Sequence, residues 1–234
     1  MLTPQSAQGA ARLAGLCYLG IFVLAILANF FVLEPLGVRG DPAATAANIA
    51  ANEAPYRLAV AAFMAVLILD LVVGWALFIV LRPAGPNHAL LTLIFRAAYT
   101  IAHAGVVLGL LSALNFAASA PLSGQAIAPA LSYHFFASHG LGFTVTLIFF
   151  GMHLVFLGAL IARAGFVPRA IGWLASLAGL AYLADGFGTI LLGSYGAYAE
   201  IVSAAVIITA LVGEASLMIW LIGWGVKKTR YPSA

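Results

Sequence analysis

The sequence predicts an all-α integral membrane protein that crosses the bilayer six times and keeps both termini in the cytoplasm. Hydrophobic residues make up 64% of the 234-residue chain and charged residues only 7%, which leaves too little polar surface for a soluble globular domain. The apolar residues form six runs, each of about the 20 residues that a helix needs to cross a bilayer. A membrane is therefore the solvent that this composition requires.

The six predicted spans follow one another with little sequence between them. They cover residues 13–33, 57–81, 89–117, 131–162, 170–192 and 199–226. Connections rich in Gly, Pro and Ser separate them, as at residues 82–87. Because these connections are short, we expect one membrane domain over residues 1–234 and no separate soluble domain.

The longest connection lies between the first two spans and carries its own helix signal. Asp41 followed by Pro42 is typical of an N-cap and a first helical residue, and an Ala-rich stretch follows. We expect a short extramembrane helix over residues 42–53, ended by Pro55. Ile49 is almost its only large apolar residue, so this helix is not predicted to bind the membrane by itself.

The orientation is predicted from the Lys and Arg residues outside the spans. Seven of them share one side and two share the other. The seven are Arg12, Arg82, Arg163, Arg169, Lys227, Lys228 and Arg230, and the two are Arg39 and Arg57. The excess favours termini inside, on the cytoplasmic side of a cell membrane. The net charge of +3 is scattered rather than clustered, so no nucleic-acid partner is predicted.

Polar side chains inside the spans are the candidate functional residues, because each charged group at the centre of a bilayer costs about 2.5–3.5 kcal/mol. Helical spacing places them on common faces; in the third span Arg96, Tyr99 and His103 follow at i, i+3 and i+7. We expect these faces to point into protein rather than lipid. The candidate buried network consists of Asp70, Arg96, Tyr99, His103, His139, Thr146, His153, Tyr182, Asp185 and Glu214.

A rise of about 1.5 Å per residue from the cytoplasmic ends divides these groups into two layers. Asp70, His153 and Glu214 share the inner layer, which the long side chain of Arg96 reaches. We expect Arg96 to pair with Asp70 or Glu214, as a structural or a functional ion pair, and the other acid to be protonated, solvated or ligand-bound. The first span holds few polar residues and is expected to lie at the periphery.

The outer layer is predicted to hold His103, His139 and Asp185, the candidate catalytic residues. A histidine there would act as a base that Asp185 orients, or the three would simply form hydrogen bonds between helices. No cofactor is predicted, although paired histidines are compatible with haem, and two histidines with one aspartate are compatible with zinc. Gly105, Gly109, Ala113 and Ala117 recur every four residues in the third span, which predicts a close helix neighbour.

Three stretches of the chain resemble the DUF4386 family of bacterial multi-helix membrane proteins. The first contains Gly40-Asp41, Thr45-Ala46, Asn48-Ile49, Glu53 and Arg57; the second contains Leu81-Arg82-Pro83 and Phe95-Arg96; the third contains Phe150-Gly151-Met152-His153, Gly158, Pro168-Arg169, Gly172, Gly179 and Tyr182. The resemblance covers most of the chain and implies a membrane bundle of the same topology. It implies no catalytic residue, and His103 and His139 lie outside it.

Three functions are compatible with these features. The first is a protein that binds or passes a small molecule, a lipid or a proton through a buried polar cavity. The second is a membrane-embedded enzyme that acts on a lipid-soluble substrate with His103, His139 and Asp185. The third is a non-catalytic structural or regulatory membrane protein whose polar groups hold the helices together. The first requires no motif, and we predict it ahead of the other two.

Overall fold

The computed structural model describes residues 4–123, 127–193, 195, 199–226 and 231, and nearly all of them are helical. No strand occurs in these ranges, which confirms the all-α fold class. The helices are α1 (Pro4–Ala28), α2 (Glu34–Leu36), α3 (Pro42–Ala51), α4 (Glu53–Leu81), α5 (Pro86–Ser123), α6 (Ile127–Ala164), α7 (Arg169–Leu191) and α8 (Ala199–Gly223). A π-helical turn at Asn29–Leu33 joins α1 to α2.

Six stretches in the described part of the chain are long and apolar enough to cross a membrane, as the sequence predicts. They are Ser6–Leu36, Glu53–Ala84, Pro86–Ser119, Ile127–Ala164, Arg169–Leu191 and Ala204–Gly223. Large apolar side chains such as Leu16 and Ile101 stay exposed along them, which lipid rather than water accommodates. The chain is therefore a polytopic membrane protein, while the cytoplasmic location of its termini stays a prediction.

The short helix α3 begins as the sequence predicts but ends for a different reason. The Asp41 carboxylate accepts a hydrogen bond of 2.9 Å from the amide of Ala44, so Asp41 is the N-cap. The helix ends before Asn52, whose φ of −117° and ψ of 37° are not helical. Pro55 does not end it. Instead Pro55 lies in the first turn of α4, where a residue without an amide hydrogen breaks no helical bond.

The chain divides into two compact units. We call Met1–Leu19, Leu69–Thr100 and Thr144–Ala234 the arginine unit, and Gly20–Ile68 and Ile101–Phe143 the histidine unit. The histidine unit has an apolar core to which α3 contributes the fully buried Ile49. Beside it the Tyr56 hydroxyl donates a 2.9 Å hydrogen bond to the carbonyl of Leu110, which satisfies a buried polar group.

A seam of glycines joins α6 to α7 within the arginine unit. A Cβ atom built on Gly179 would lie 2.6 Å from the Gly151 carbonyl oxygen, and one on Gly172 would lie 2.6 Å from the Gly158 carbonyl oxygen. The glycines are seven residues apart on each helix, so the two backbones touch along one face. On the small-residue face of α5, none of the described atoms lies within 4 Å of a Cβ built on Gly105. The Ser132 hydroxyl of α6 donates a 2.8 Å hydrogen bond to the Ala113 carbonyl, so the expected close neighbour is present farther along this face.

Candidate functional site

Helices α4 and α5 bring Asp70 and Arg96 together in the arginine unit. Both side chains are buried, with 3% and 1% of their surfaces exposed. The Nη2 atom of Arg96 donates to Asp70 Oδ1 at 2.5 Å, and Nε donates to the main-chain carbonyl of Asp70 at 3.1 Å. Of the two acids that the sequence offers as partners, the ion pair forms with Asp70. The result is a charge-assisted contact between two spans.

The remaining donors and acceptors of this pair are used by neighbours. The Thr100 hydroxyl donates to Asp70 Oδ2 at 2.6 Å, and Arg96 Nη1 donates to the Tyr18 hydroxyl at 2.7 Å. The guanidinium also lies over the rings of Tyr18 and Phe150, at 4.9 Å and 5.2 Å from their centroids. We call Tyr18, Asp70, Arg96, Thr100 and His153 the Arg96 cluster. Its buried charges are paired, which is the arrangement expected of a structural lock.

The hydrogen bonds of His153 fix its protonation. Its Nδ1 atom lies 2.8 Å from the Thr92 carbonyl, which only accepts, so Nδ1 carries the hydrogen. Its Nε2 atom lies 3.1 Å from Arg96 Nη1, which only donates, so Nε2 carries none. The imidazole is therefore neutral, because a second hydrogen on Nε2 would face the N–H groups of Arg96.

Helix α1 takes part in this cluster through Tyr18, although its span is among the least buried of the six, as expected of a peripheral helix. Tyr18 is 1% exposed and supplies an acceptor to Arg96. The sequence signal was weak, since a single tyrosine in an apolar run usually reads as a core or interface residue. Only the matching depth of Tyr18 and Arg96 in their spans could have suggested the contact.

Glu214 of α8 is the acid left without a cation. Its carboxylate accepts a 3.2 Å hydrogen bond from the Tyr182 hydroxyl of α7 and is partly buried. Among the described residues the ion pairs are Arg96–Asp70 and Arg57–Glu53, so none of them joins Glu214 to a basic group. Tyr99, also expected in this network, is buried and packs its ring 5.0 Å from that of Phe150.

The residues of the expected group, His103, His139 and Asp185, belong to two different units. The two histidines belong to the histidine unit, where their ring centroids are 5.8 Å apart. Asp185 belongs to the arginine unit and accepts a 2.5 Å hydrogen bond from the Tyr195 hydroxyl. The described residues contain no group of three His, Cys, Asp or Glu side chains fit to hold a metal ion. Thr146 of α6 is buried in the arginine unit as well.

The Tyr195 hydroxyl lies just beyond the fifth span and keeps its proton at neutral pH. Burial, together with the hydrogen bond to Asp185, raises the pKa of Tyr195 to about 12. Tyr195 is thus the donor and the Asp185 carboxylate the acceptor. This hydrogen bond fixes the orientation of the Asp185 carboxylate towards Tyr195.

A cleft of about 970 Å³ opens in the arginine unit where three spans end. The turn between α6 and α7 forms one wall, and the last turns of α8 form the other. Gly165 has a φ of +73°, which lets the chain leave α6 in a left-handed turn that other residues adopt reluctantly. The lining residues that matter most are Phe166, Arg169, Ile171, Ile219, Trp220 and Trp224. The sequence did not predict this cleft.

The fold and the Arg96 cluster define an α-helical polytopic membrane protein whose spans are joined by a buried ion pair. The chain belongs to the family described as "Domain of unknown function (DUF4386)", whose pattern matches residues 13–225. The resemblance seen in the sequence is thereby confirmed. An uncharacterised protein of Archaeoglobus fulgidus is 28% identical over 134 residues, which are 57% of this chain and 68% of that protein. No solved structure matches the chain.

Proposed function

We propose that the protein binds an anionic amphiphile, a membrane phospholipid with a negatively charged headgroup, in the cleft between the α6–α7 turn and α8. The observation that carries the proposal is the lining, in which aromatic and apolar walls suit an acyl chain and Arg169 suits a phosphate. The cleft also lies at the ends of spans, where tryptophan and basic side chains meet lipid headgroups.

The charge of Arg169 is available to such a ligand. Arg169 is exposed, and none of the described carboxylates lies within ion-pair distance of it. The carboxylates described in the arginine unit already have partners. Asp70 is bonded to Arg96, Glu214 to Tyr182, and Asp185 to Tyr195. A basic residue at a membrane surface contributes about 1 kcal/mol to the binding of an anionic lipid.

Tryptophan fluorescence tests this proposal in reconstituted bilayers. The chain has four tryptophans, and Trp220 lines the cleft while being only 7% exposed. The variant for this test keeps Trp220 and has the other three tryptophans changed to phenylalanine. Phosphatidylglycerol with brominated chains should quench the Trp220 fluorescence at a mole fraction about fivefold lower than brominated phosphatidylcholine requires. Arg169→Gln should remove this preference, because the headgroup loses its cation.

Two controls make the result specific. Arg163→Gln removes an exposed charge from the end of α6 that does not line the cleft, and the lipid preference should survive. A protein that keeps only Trp173, which is 68% exposed, reports contact with bulk lipid and should show no preference. Equal quenching of Trp220 by the two lipids, or a preference that survives Arg169→Gln, would contradict the proposal.

We also propose that both termini face the cytoplasm of a bacterial cell, so that the cleft opens at the inner face of the membrane. The distribution of basic residues supports this orientation: eight of the ten lie in the sequence ranges of the arginine unit, and Arg39 and Arg57 lie in the histidine unit. In a Cys17→Ser background, a membrane-impermeant maleimide should label Arg39→Cys in intact cells and Arg163→Cys only after lysis. The reverse labelling pattern would contradict the proposed orientation.

A further inference from the structure

Two imidazoles face each other inside the histidine unit. His103 of α5 and His139 of α6 have ring centroids 5.8 Å apart, with planes inclined by 51°. Both are buried, with 2% and 9% of their surfaces exposed. Phe143, one helical turn after His139, packs 5.2 Å from the His103 ring, and Phe63 of α4 packs 5.3 Å from the His139 ring. The pair is therefore enclosed by aromatic walls.

One nitrogen of this pair is buried without a hydrogen bond. Nε2 of His139 has no partner among the described residues. Leaving a buried polar group unsatisfied costs about 1–3 kcal/mol, so such a group calls for a specific explanation. His153 shows the contrast, because both of its ring nitrogens are bonded within the protein. Nε2 of His139 is therefore available to bind a small ligand such as a single ion.

We propose that His103 and His139 together bind a single copper(I) ion. A metal–imidazole bond is about 2.0 Å long and the nitrogen lies roughly 1.2 Å from the ring centre, so two imidazoles in line on one ion have centroids about 6.4 Å apart. The observed separation of 5.8 Å is about 0.6 Å shorter, so the two rings would move apart by that much to hold the ion in line.

The surroundings favour a singly charged ion. The carboxylates of the histidine unit are Glu34, Asp41 and Glu53, and all three side chains are exposed. The cost of burying charge rises with its square, so a divalent ion held by two neutral ligands would cost about four times as much as a monovalent one. Zinc also requires about four ligands, and the described residues do not assemble even three. Copper(I) accepts two nitrogen ligands in line and carries one charge.

Copper binding can be measured on the full-length protein in detergent. Cys17 is changed to serine first, because its thiolate would compete for copper(I). Under anaerobic reducing conditions the protein should bind one copper(I) ion per chain in competition with a chromophoric copper(I) chelator. X-ray absorption should show two nitrogen neighbours. His103→Phe and His139→Phe should each weaken binding by more than about 100-fold, since direct ligands matter more than outer-shell groups.

The chain supplies matched controls. His134 lies on α6 but is exposed, so His134→Phe should keep full copper binding. If a phenylalanine variant fails to fold, copper binding by the His139→Gln variant and the X-ray absorption spectrum of the parent protein replace it as the test. The proposal is overturned if no copper is retained, if zinc is held as tightly, if copper binding persists in both phenylalanine variants, or if the spectrum shows sulfur neighbours. Failure of the lipid experiment leaves this result unaffected, because Arg169 and the cleft take no part in it.

Discussion

Replacing Arg96 with leucine is expected to lower the free energy of unfolding by about 3–5 kcal/mol, because the Asp70 carboxylate stays buried without its cation. The substitution also removes the donors to Tyr18 and His153. Cys17 is buried and is the single cysteine of the chain, so a thiol-reactive fluorophore reports unfolding in detergent. The fluorescence transition of the Arg96→Leu protein should move to a clearly lower temperature.

The exposed ion pair between Arg57 and Glu53 provides the matched control. Its atoms lie 2.7 Å apart, but both side chains are about half exposed, and such pairs contribute about 0–1 kcal/mol. Arg57→Leu should therefore change the unfolding temperature little. Changing Arg96 and Asp70 to leucine together should recover part of the loss, because no charge is then stranded. Equal stability of the Arg96→Leu and Arg57→Leu proteins would show that Arg96 does not neutralise Asp70.

A single methyl group in the glycine seam of α6 and α7 is expected to have the next largest effect. In Gly179→Ala the new Cβ would lie 2.6 Å from the Gly151 carbonyl oxygen and 2.9 Å from the amide nitrogen of Val155. Both obstacles are backbone atoms, so the helices must separate, at a cost of about 1–3 kcal/mol. The same Cys17 assay measures the loss.

A Gly140→Ala substitution in α6 is the control that distinguishes the effect of packing from the effect of helix propensity. A Cβ built there meets none of the described atoms within 4 Å, so Gly140→Ala should be neutral or more stable by up to about 1 kcal/mol. Gly179→Ala gains the same propensity and should still be destabilised. If both variants unfold at the temperature of the parent protein, the two backbones are not in contact.

The spans and the capped start of α3 follow from the sequence because hydropathy and capping are local properties. The partner of Arg96 is not local. Asp70 and Glu214 lie 12 and 13 residues before the next basic residue, so depth alone makes them equivalent. The choice depends on how α4 and α8 are rotated about their axes, which packing decides. The small-residue pattern of α5 did predict a close neighbour, which α6 provides at Ala113, but it did not predict the backbone contact of α7 with Gly151 and Gly158.

The candidate sites show a similar division. Helical spacing placed His103 and His139 on inward faces, and both are buried. Residue counting then put Asp185 at their depth, but Tyr195, a loop residue with no predicted role, holds that carboxylate. The cleft could not be predicted, because it is formed by a turn and a helix end whose relative positions no single segment determines. Arg169 had been counted only as a topology signal.

The hydrogen bonds around His153 also determine how the Arg96 cluster responds to the membrane potential. The charges of Arg96 and Asp70 sum to zero, and the neutral imidazole adds none. A voltage therefore exerts no net force on the cluster. By contrast, the energy of one unpaired elementary charge changes by about 2.3 kcal/mol per 100 mV when it crosses the bilayer. A lone arginine at this position would couple the movement of α5 to the potential. Paired with Asp70, it adds no net charge on which the potential can act.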